Sequence, residues 1–149
     1  MARRTFFSFH HGRDNWRVGQ VRNSWVVGKD REAAGFWDAA EWEKVKLQTP
    51  EKIRAWIDVQ LTGTSVTVVL VGNETSTRPY VKYEIEQSIA RGNGLLGVYI
   101  HNMKNIEGLT DTKGLNPLPA GYNMYDWVNN DGRSNLGTWI EAAAKAAGR

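Results

Sequence analysis

Ser65-Val66-Thr67-Val68-Val69-Leu70-Val71 runs directly into Gly72-Asn73-Glu74-Thr75. A near-continuous β-branched run of this kind is the pattern of a strand buried on both faces, as in a parallel sheet covered by helices. Leu95-Leu96-Gly97-Val98-Tyr99-Ile100 is a second such run. Parallel neighbours need a crossover, and the residues between them supply one. Ser76 or Thr77 can cap a helix that extends to about Arg91 and is stopped by Gly92-Asn93-Gly94.

Upstream, Thr49 is placed to cap a helix with Pro50 at its first position and Glu51 at the positive end of its dipole. Ile53, Trp56, Ile57 and Leu61 form its apolar stripe, and Gly63 closes it. Arg4-Thr5-Phe6-Phe7-Ser8-Phe9-His10 reads as a first strand, and Asp14 as the start of a helix carrying Trp16, Val18, Val21 and Trp25. Ser24-Trp25-Val26-Val27 reads as a short second strand closed by Gly28. Downstream, residues 101–135 are rich in Gly, Asn, Pro and Asp, with a strand candidate at Tyr125-Asp126-Trp127-Val128. A closing helix is predicted from Trp139 through the alanine-rich tail to Ala147.

Strands alternating with helices predict an α/β fold. The best match is a flavodoxin-like, five-stranded parallel sheet in the order 2-1-3-4-5, with helices on both faces and one domain over residues 1–149. Ligands of such sheets bind beyond the carboxyl ends of the strands, where the strand order reverses. That rule brings residues 8–14, after strand 1, and residues 72–78, after strand 3, into one crevice.

Composition narrows the chemistry. A 41% hydrophobic fraction with 7 Trp fits a globular core rather than a disordered chain. The absence of Cys excludes thiolate metal sites and a cysteine nucleophile. No stretch approaches a membrane span and no apolar leader follows Met1, so a cytoplasmic protein is expected. The net charge of +3 comes from scattered basic residues with no aromatic interleaving, so nucleic acid is not an expected partner.

Two motifs mislead. Gly92-Asn93-Gly94-Leu95-Leu96-Gly97 matches the dinucleotide fingerprint by letter, but the mechanism needs a strand before it and a helix after it, and here the order is reversed. His10-His11 with His101 suggests a metal site. Neighbours on a strand point to opposite faces, so at most one of the pair could join His101, and a structural or substrate-contact role suits them better.

On the helix after strand 3, Val81, Ile85, Ser88 and Ile89 make the expected buried face, with Glu86 opposite. Glu84 falls on the border, one turn from Tyr80. Spacing alone leaves two readings open: a surface glutamate paired with Arg91 or Lys82, or a half-buried carboxylate beside an aromatic, facing the crevice.

Four segments occur in one order: Phe6-Phe7-Ser8-Phe9-His10, Val68 to Thr75, Arg78-Pro79-Tyr80-Val81-Lys82-Tyr83-Glu84-Ile85, and Gly94 to Ile100. Together they resemble the TIR-like domain of the Thoeris anti-phage systems, from strand 1 to at least Asn105. The aromatic-x-x-x-Glu-Ile helix is the most specific element. Strand 1 ends in Phe9-His10-His11, where ordinary TIR domains carry a Ser-Tyr-like ending.

The resemblance implies an NAD⁺ glycohydrolase or ADP-ribosyl cyclase, with Glu84 as the catalytic residue, NAD⁺ as substrate and neither cofactor nor metal. It also implies a cyclic ADP-ribose-type messenger that activates a separate effector polypeptide, a phage-derived trigger, and self-association in the active state. Placement at the crevice adds Ser8, Phe9, His10 and His11 as substrate-binding candidates. Arg78 is a candidate for a phosphate or ribose. Tyr80 is placed to stack on nicotinamide or ribose, and Asp38 lies in the loop after strand 2. Asp14 either binds in the crevice or caps its helix. Two competing functions are a non-catalytic TIR-like adaptor acting by homotypic association and a nucleoside deoxyribosyltransferase-like enzyme.

Overall fold

In the computed structural model, residues 3–26, 31–35 and 44–149 are described. The buried run becomes β3 (Val66–Val71), every residue of which is inaccessible. It lies between β1 (Arg3–Ser8) and β4 (Gly94–Tyr99), with β2 (Arg31–Ala34) beyond β1 and β5 (Met124–Asp126) beyond β4. All four pairings are parallel, and the order is 2-1-3-4-5, as expected. The register sets Phe7 beside Val68 and Ser8 beside Val69.

The described helices are α1 (Asn15–Val26), α2 (Pro50–Leu61), α3 (Pro79–Ala90) and α4 (Gly132–Ala146). Strand alternation divides the core into two layers. Phe7, Val68, Leu70, Leu96 and Val98 pack with Val18 and Val21 of α1 and Leu136 and Ile140 of α4. On the other face, Val69 and Val71 meet Val81 and Ile85 of α3. Phe6 meets Ile53, Ile57 and Leu61 of α2. Helices therefore cover both sides of the sheet. Among the described residues, no helix is long and apolar enough to cross a membrane.

Several boundaries differ from the sequence reading. Ser24 and Trp25 belong to α1, not to a second strand; Val27 lies outside the described residues. The helical period wins because Val18, Val21 and Trp25 share one buried stripe, with the Trp25 ring edge-on to Phe7 at 6.3 Å. The strand beside β1 is instead Arg31-Glu32-Ala33-Ala34, whose composition favours helix and whose extended form is fixed by pairing with β1. Neither Ser76 nor Thr77 caps α3. They lie in a 3₁₀ turn, Thr75–Thr77, and Arg78 takes the N-cap position ahead of Pro79. α4 begins at Gly132 rather than Trp139, because Leu136 extends the stripe of Trp139, Ile140 and Ala144 backwards.

The misleading glycine motif serves as a helix stop. Gly92 has φ +75°, and a side chain at Gly94 would strike the Ala143 carbonyl of α4. Thr49 caps α2 as expected, accepting from Lys52 N–H at 3.3 Å. Thr49→Ala should cost about 1 kcal/mol and lower Tm by roughly 2–4 °C by calorimetry. An unchanged Tm would show that this bond contributes nothing.

Candidate active site

In a parallel sheet each helix starts at the carboxyl end of the strand before it, so the residues ahead of different helices converge. Here Phe9, His10 and His11 follow β1, Lys46 and Gln48 precede α2, and Arg78, Pro79 and Tyr80 open α3. With Ile53 and Ile57 of α2 and Val81 and Glu84 of α3, they line a cavity of about 330 Å³. The cavity lies on the α2–α3 side of the sheet, at the predicted switch point.

Glu84 belongs to the wall of this cavity and is 5% exposed. The buried face of α3 is Val81, Glu84, Ile85 and Ser88, spaced i, i+3, i+4, i+7. The sequence reading placed Ile89 on this face, yet Ile89 is 41% exposed. Glu84 therefore occupies a core position of the stripe instead of its border. It forms no pair with Arg91 or Lys82. Its contact is Ser8, whose Oγ donates to Oε1 at 2.8 Å. Burial raises the Glu84 pKa to about 8, and the Ser8 bond opposes that rise only in part. At pH 7 the group is therefore mostly protonated.

The mouth is electropositive and ordered by a polar chain. Arg78 Nη1 lies 3.1 Å from His10 Nε2. A guanidinium can only donate, so Nε2 accepts and the imidazole proton sits on Nδ1. That nitrogen faces Glu74 Oε2 at 3.9 Å, and Glu74 Oε1 lies 3.5 Å from Arg13. Burial, then the Arg78 charge, lowers the His10 pKa. Burial, with His10 beside it, takes His11 down to about 3, so both rings are neutral at pH 7. His11 lies against Phe9 with ring centroids 4.1 Å apart. Arg78 Nε is buried without a hydrogen-bond partner.

Of the residues predicted for the site, Phe9, His10, His11, Arg78, Tyr80 and Glu84 are brought together. Ser8 is fully buried behind Glu84 and does not line the cavity. Asp38 lies outside the described residues. Asp14 is absent from the cavity: it points to the opposite face, against Gly72, with Arg17 Nη1 3.5 Å away. Its backbone carbonyl accepts from Val18 N–H as an N-cap should, but its carboxylate accepts no hydrogen bond. Between Gly72 and Arg78, only Arg78 reaches the cavity. His101 is remote from it and meets Tyr99 edge-on. Lys46, Gln48, Ile53 and Ile57 were missed, although their positions just before and within the first two turns of α2 were the available signal.

The family model described as "Thoeris protein ThsB, TIR-like domain" matches residues 6–105. A protein of Bacillus cereus (strain MSX-D12), named "Putative cyclic ADP-D-ribose synthase ThsB1", is 39% identical over 141 residues, covering 93% of this chain and 72% of the relative. The family match takes in the end of β1 from Phe6, α2, the described cavity lining and the whole of α3 and β4. The chain belongs to the Thoeris ThsB family of TIR-like domains.

Proposed function

We propose that this chain cleaves the nicotinamide–ribose bond of NAD⁺ and forms a cyclic ADP-ribose-type nucleotide, with Glu84 as the catalytic residue. The observation that carries this reading is a buried carboxyl, the one carboxyl among the described lining residues, in the wall of a cavity lined also by aromatic and basic side chains. The synthase name of the Bacillus relative supports it.

Nicotinamide is a cationic substituent in NAD⁺ and departs as a neutral base, taking the bonding electron pair with it, so no acid has to protonate it. The ribose left behind is oxocarbenium-like, and a carboxylate beside it lowers the barrier electrostatically. Glu84 must be ionised to act in this way. The positive nicotinamide ring, brought beside the carboxyl, lowers its pKa, and the proton passes to solvent as the substrate binds. Capture of the ribose carbon by water yields ADP-ribose. Capture by a ring nitrogen or hydroxyl of the same nucleotide yields a cyclic isomer; water or a hydroxyl then releases its proton to solvent, whereas a ring nitrogen takes over the positive charge. Tyr80 and the Ile53–Ile57 wall limit access of water, which favours the intramolecular route.

Arg78 and Lys46 supply positive charge at the mouth for the pyrophosphate. Arg78→Ala should raise KM for NAD⁺ about 10- to 100-fold with little change in kcat, because a charge-assisted bond contributes about 1.5–3 kcal/mol. A lower kcat at unchanged KM would instead place Arg78 at the reacting bond.

The product activates a separate effector polypeptide, and the reaction is switched on by a phage-derived cue with self-association of the chain. NAD⁺ is the substrate, and the proposed chemistry calls for no resident cofactor. The reading is tested by supplying NAD⁺ or deoxynucleosides to lysate of phage-infected cells that produce the chain, with Glu84→Gln as control, and following base release by chromatography. Nicotinamide release from NAD⁺ supports it. Base release from deoxynucleosides alone would point to the deoxyribosyltransferase class.

A further inference from the structure

Ser8 ends β1 with its side chain on the α2–α3 face, fully buried and outside the cavity lining. Its Oγ donates to Glu84 Oε1 at 2.8 Å and is the one hydrogen-bond donor to that carboxyl among the described residues. With Oε1 engaged by β1, Oε2 is the oxygen left to face the cavity.

The backbone of Glu84 is held separately. Ser88 Oγ donates to the Glu84 carbonyl at 2.7 Å, and the Thr67 and Ser88 hydroxyls are 2.7 Å apart. Ser88 has spent its only proton, so Thr67 donates to it and accepts from Asn93 Nδ2 at 3.4 Å. Asn93 Nδ2 also donates to Thr64 Oγ1 at 3.0 Å. This chain ties α3 to β3 without using Ser8. Loss of the Ser8 hydroxyl would therefore free the carboxyl group while leaving the helix in place.

We propose that Ser8 is a positioning residue and not a substrate contact, holding Glu84 so that Oε2 alone is presented to the reacting ribose. This role rests on the NAD⁺-cleaving reading of the same site. The Ser8 O–H also favours the ionised carboxylate, because it is a donor aimed at an oxygen that gains charge on ionisation. Among the described residues, the other ionisable groups around the cavity are His10 and His11 after β1, Lys46 before α2, and Arg78 and Tyr80 at the start of α3. None of them is hydrogen-bonded to Glu84.

The test compares Ser8→Ala, Ser8→Thr and Ser88→Ala with the full chain. Ser8→Ala should lower kcat about 10- to 100-fold at pH 7, as removal of outer partners does at other reacting centres, with KM for NAD⁺ unchanged. The acid limb of its pH–rate profile should move up by about one unit, the scale of one lost charge-assisted bond. Ser8→Thr keeps the hydroxyl and should recover most of the rate. Ser88→Ala should lower Tm and leave the profile where it is. Titration of the Glu84 carboxyl by ¹³C NMR reads the same contact without turnover, and its midpoint should be higher in Ser8→Ala than in the unaltered chain. An unmoved midpoint overturns the proposal, as does a raised KM at constant kcat. Absence of nicotinamide release from the unaltered chain even in lysate of phage-infected cells, with the midpoint still moved, would reject the NAD⁺ reading and keep the Ser8–Glu84 coupling.

Discussion

Glu84→Gln should abolish nicotinamide release from NAD⁺, by at least about a hundred- to thousandfold, and at the same time make the protein harder to melt. The first effect follows from removing the group that stabilises charge on the ribose. The second follows from burial. The carboxyl pKa rises from an ordinary 4.5 to about 8 on folding. Between those values the folded chain holds more protons than the unfolded chain, so stability falls as pH rises across the window. Glutamine has the same shape and no charge to bury. The gain should be on the order of 1–3 kcal/mol at pH 7, or roughly 3–10 °C in Tm. It should be small below pH 4.5 and grow toward pH 8. Calorimetry of both chains from pH 4 to pH 8 reads it. A variant that melts lower at every pH would mean that the carboxyl contributes to folding rather than opposing it. In the unaltered chain, kcat/KM should climb with pH toward about 8, because free Glu84 must ionise to act.

Gly72→Ala should be the most damaging change outside the site. Gly72 follows β3, and a Cβ there would overlap the Asp14 carboxylate. Asp14 is fully buried and cannot retreat: α1 begins at the next residue, and Arg17 Nη1 is 3.5 Å away. Arg17 is itself fixed, donating to Met103 O at 2.7 Å and Leu109 O at 3.0 Å. The segment after β4 is thus anchored to α1 through the same cluster. A Cβ at Gly114 of that segment would overlap the Gly72 carbonyl. Overpacking against a buried charge should cost about 2–4 kcal/mol, a fall in Tm of roughly 5–15 °C. Asp14→Ala in the same chain should recover part of the loss, because the two residues compete for one space. An unchanged Tm for Gly72→Ala alone would show that this packing is not tight.

The sheet was legible because its central strands announce themselves. Val66 to Val71 and Leu95 to Val98 are buried on both faces, and a parallel pairing is what such runs demand. Thr49-Pro50 marked its helix correctly because a cap is a local interaction. The second strand was misread because Arg31-Glu32-Ala33-Ala34 has no strand signal of its own; its conformation is imposed by β1. At the site, topology alone gathered Phe9, His10, His11 and Arg78, since each stands between a strand and the helix that follows it. Glu84 was recognisable as chemistry but misplaced by a small rotation of its helix. Apolar letters favoured Ile89 for the core, whereas the wall of a cavity tolerates a carboxyl that a hydrophobic stripe would exclude. The role of Ser8 was hidden for a different reason, because a contact between residues 76 positions apart has no local signature.

Mass spectrometry of small molecules from phage-infected cells producing either the unaltered chain or Glu84→Gln, at equal protein levels, tests catalysis by Glu84 most directly. The expected result is loss of NAD⁺ with appearance of nicotinamide and a product of NAD⁺ minus nicotinamide in the first culture, and neither in the second. Equal product in both cultures, or none in either, would contradict it.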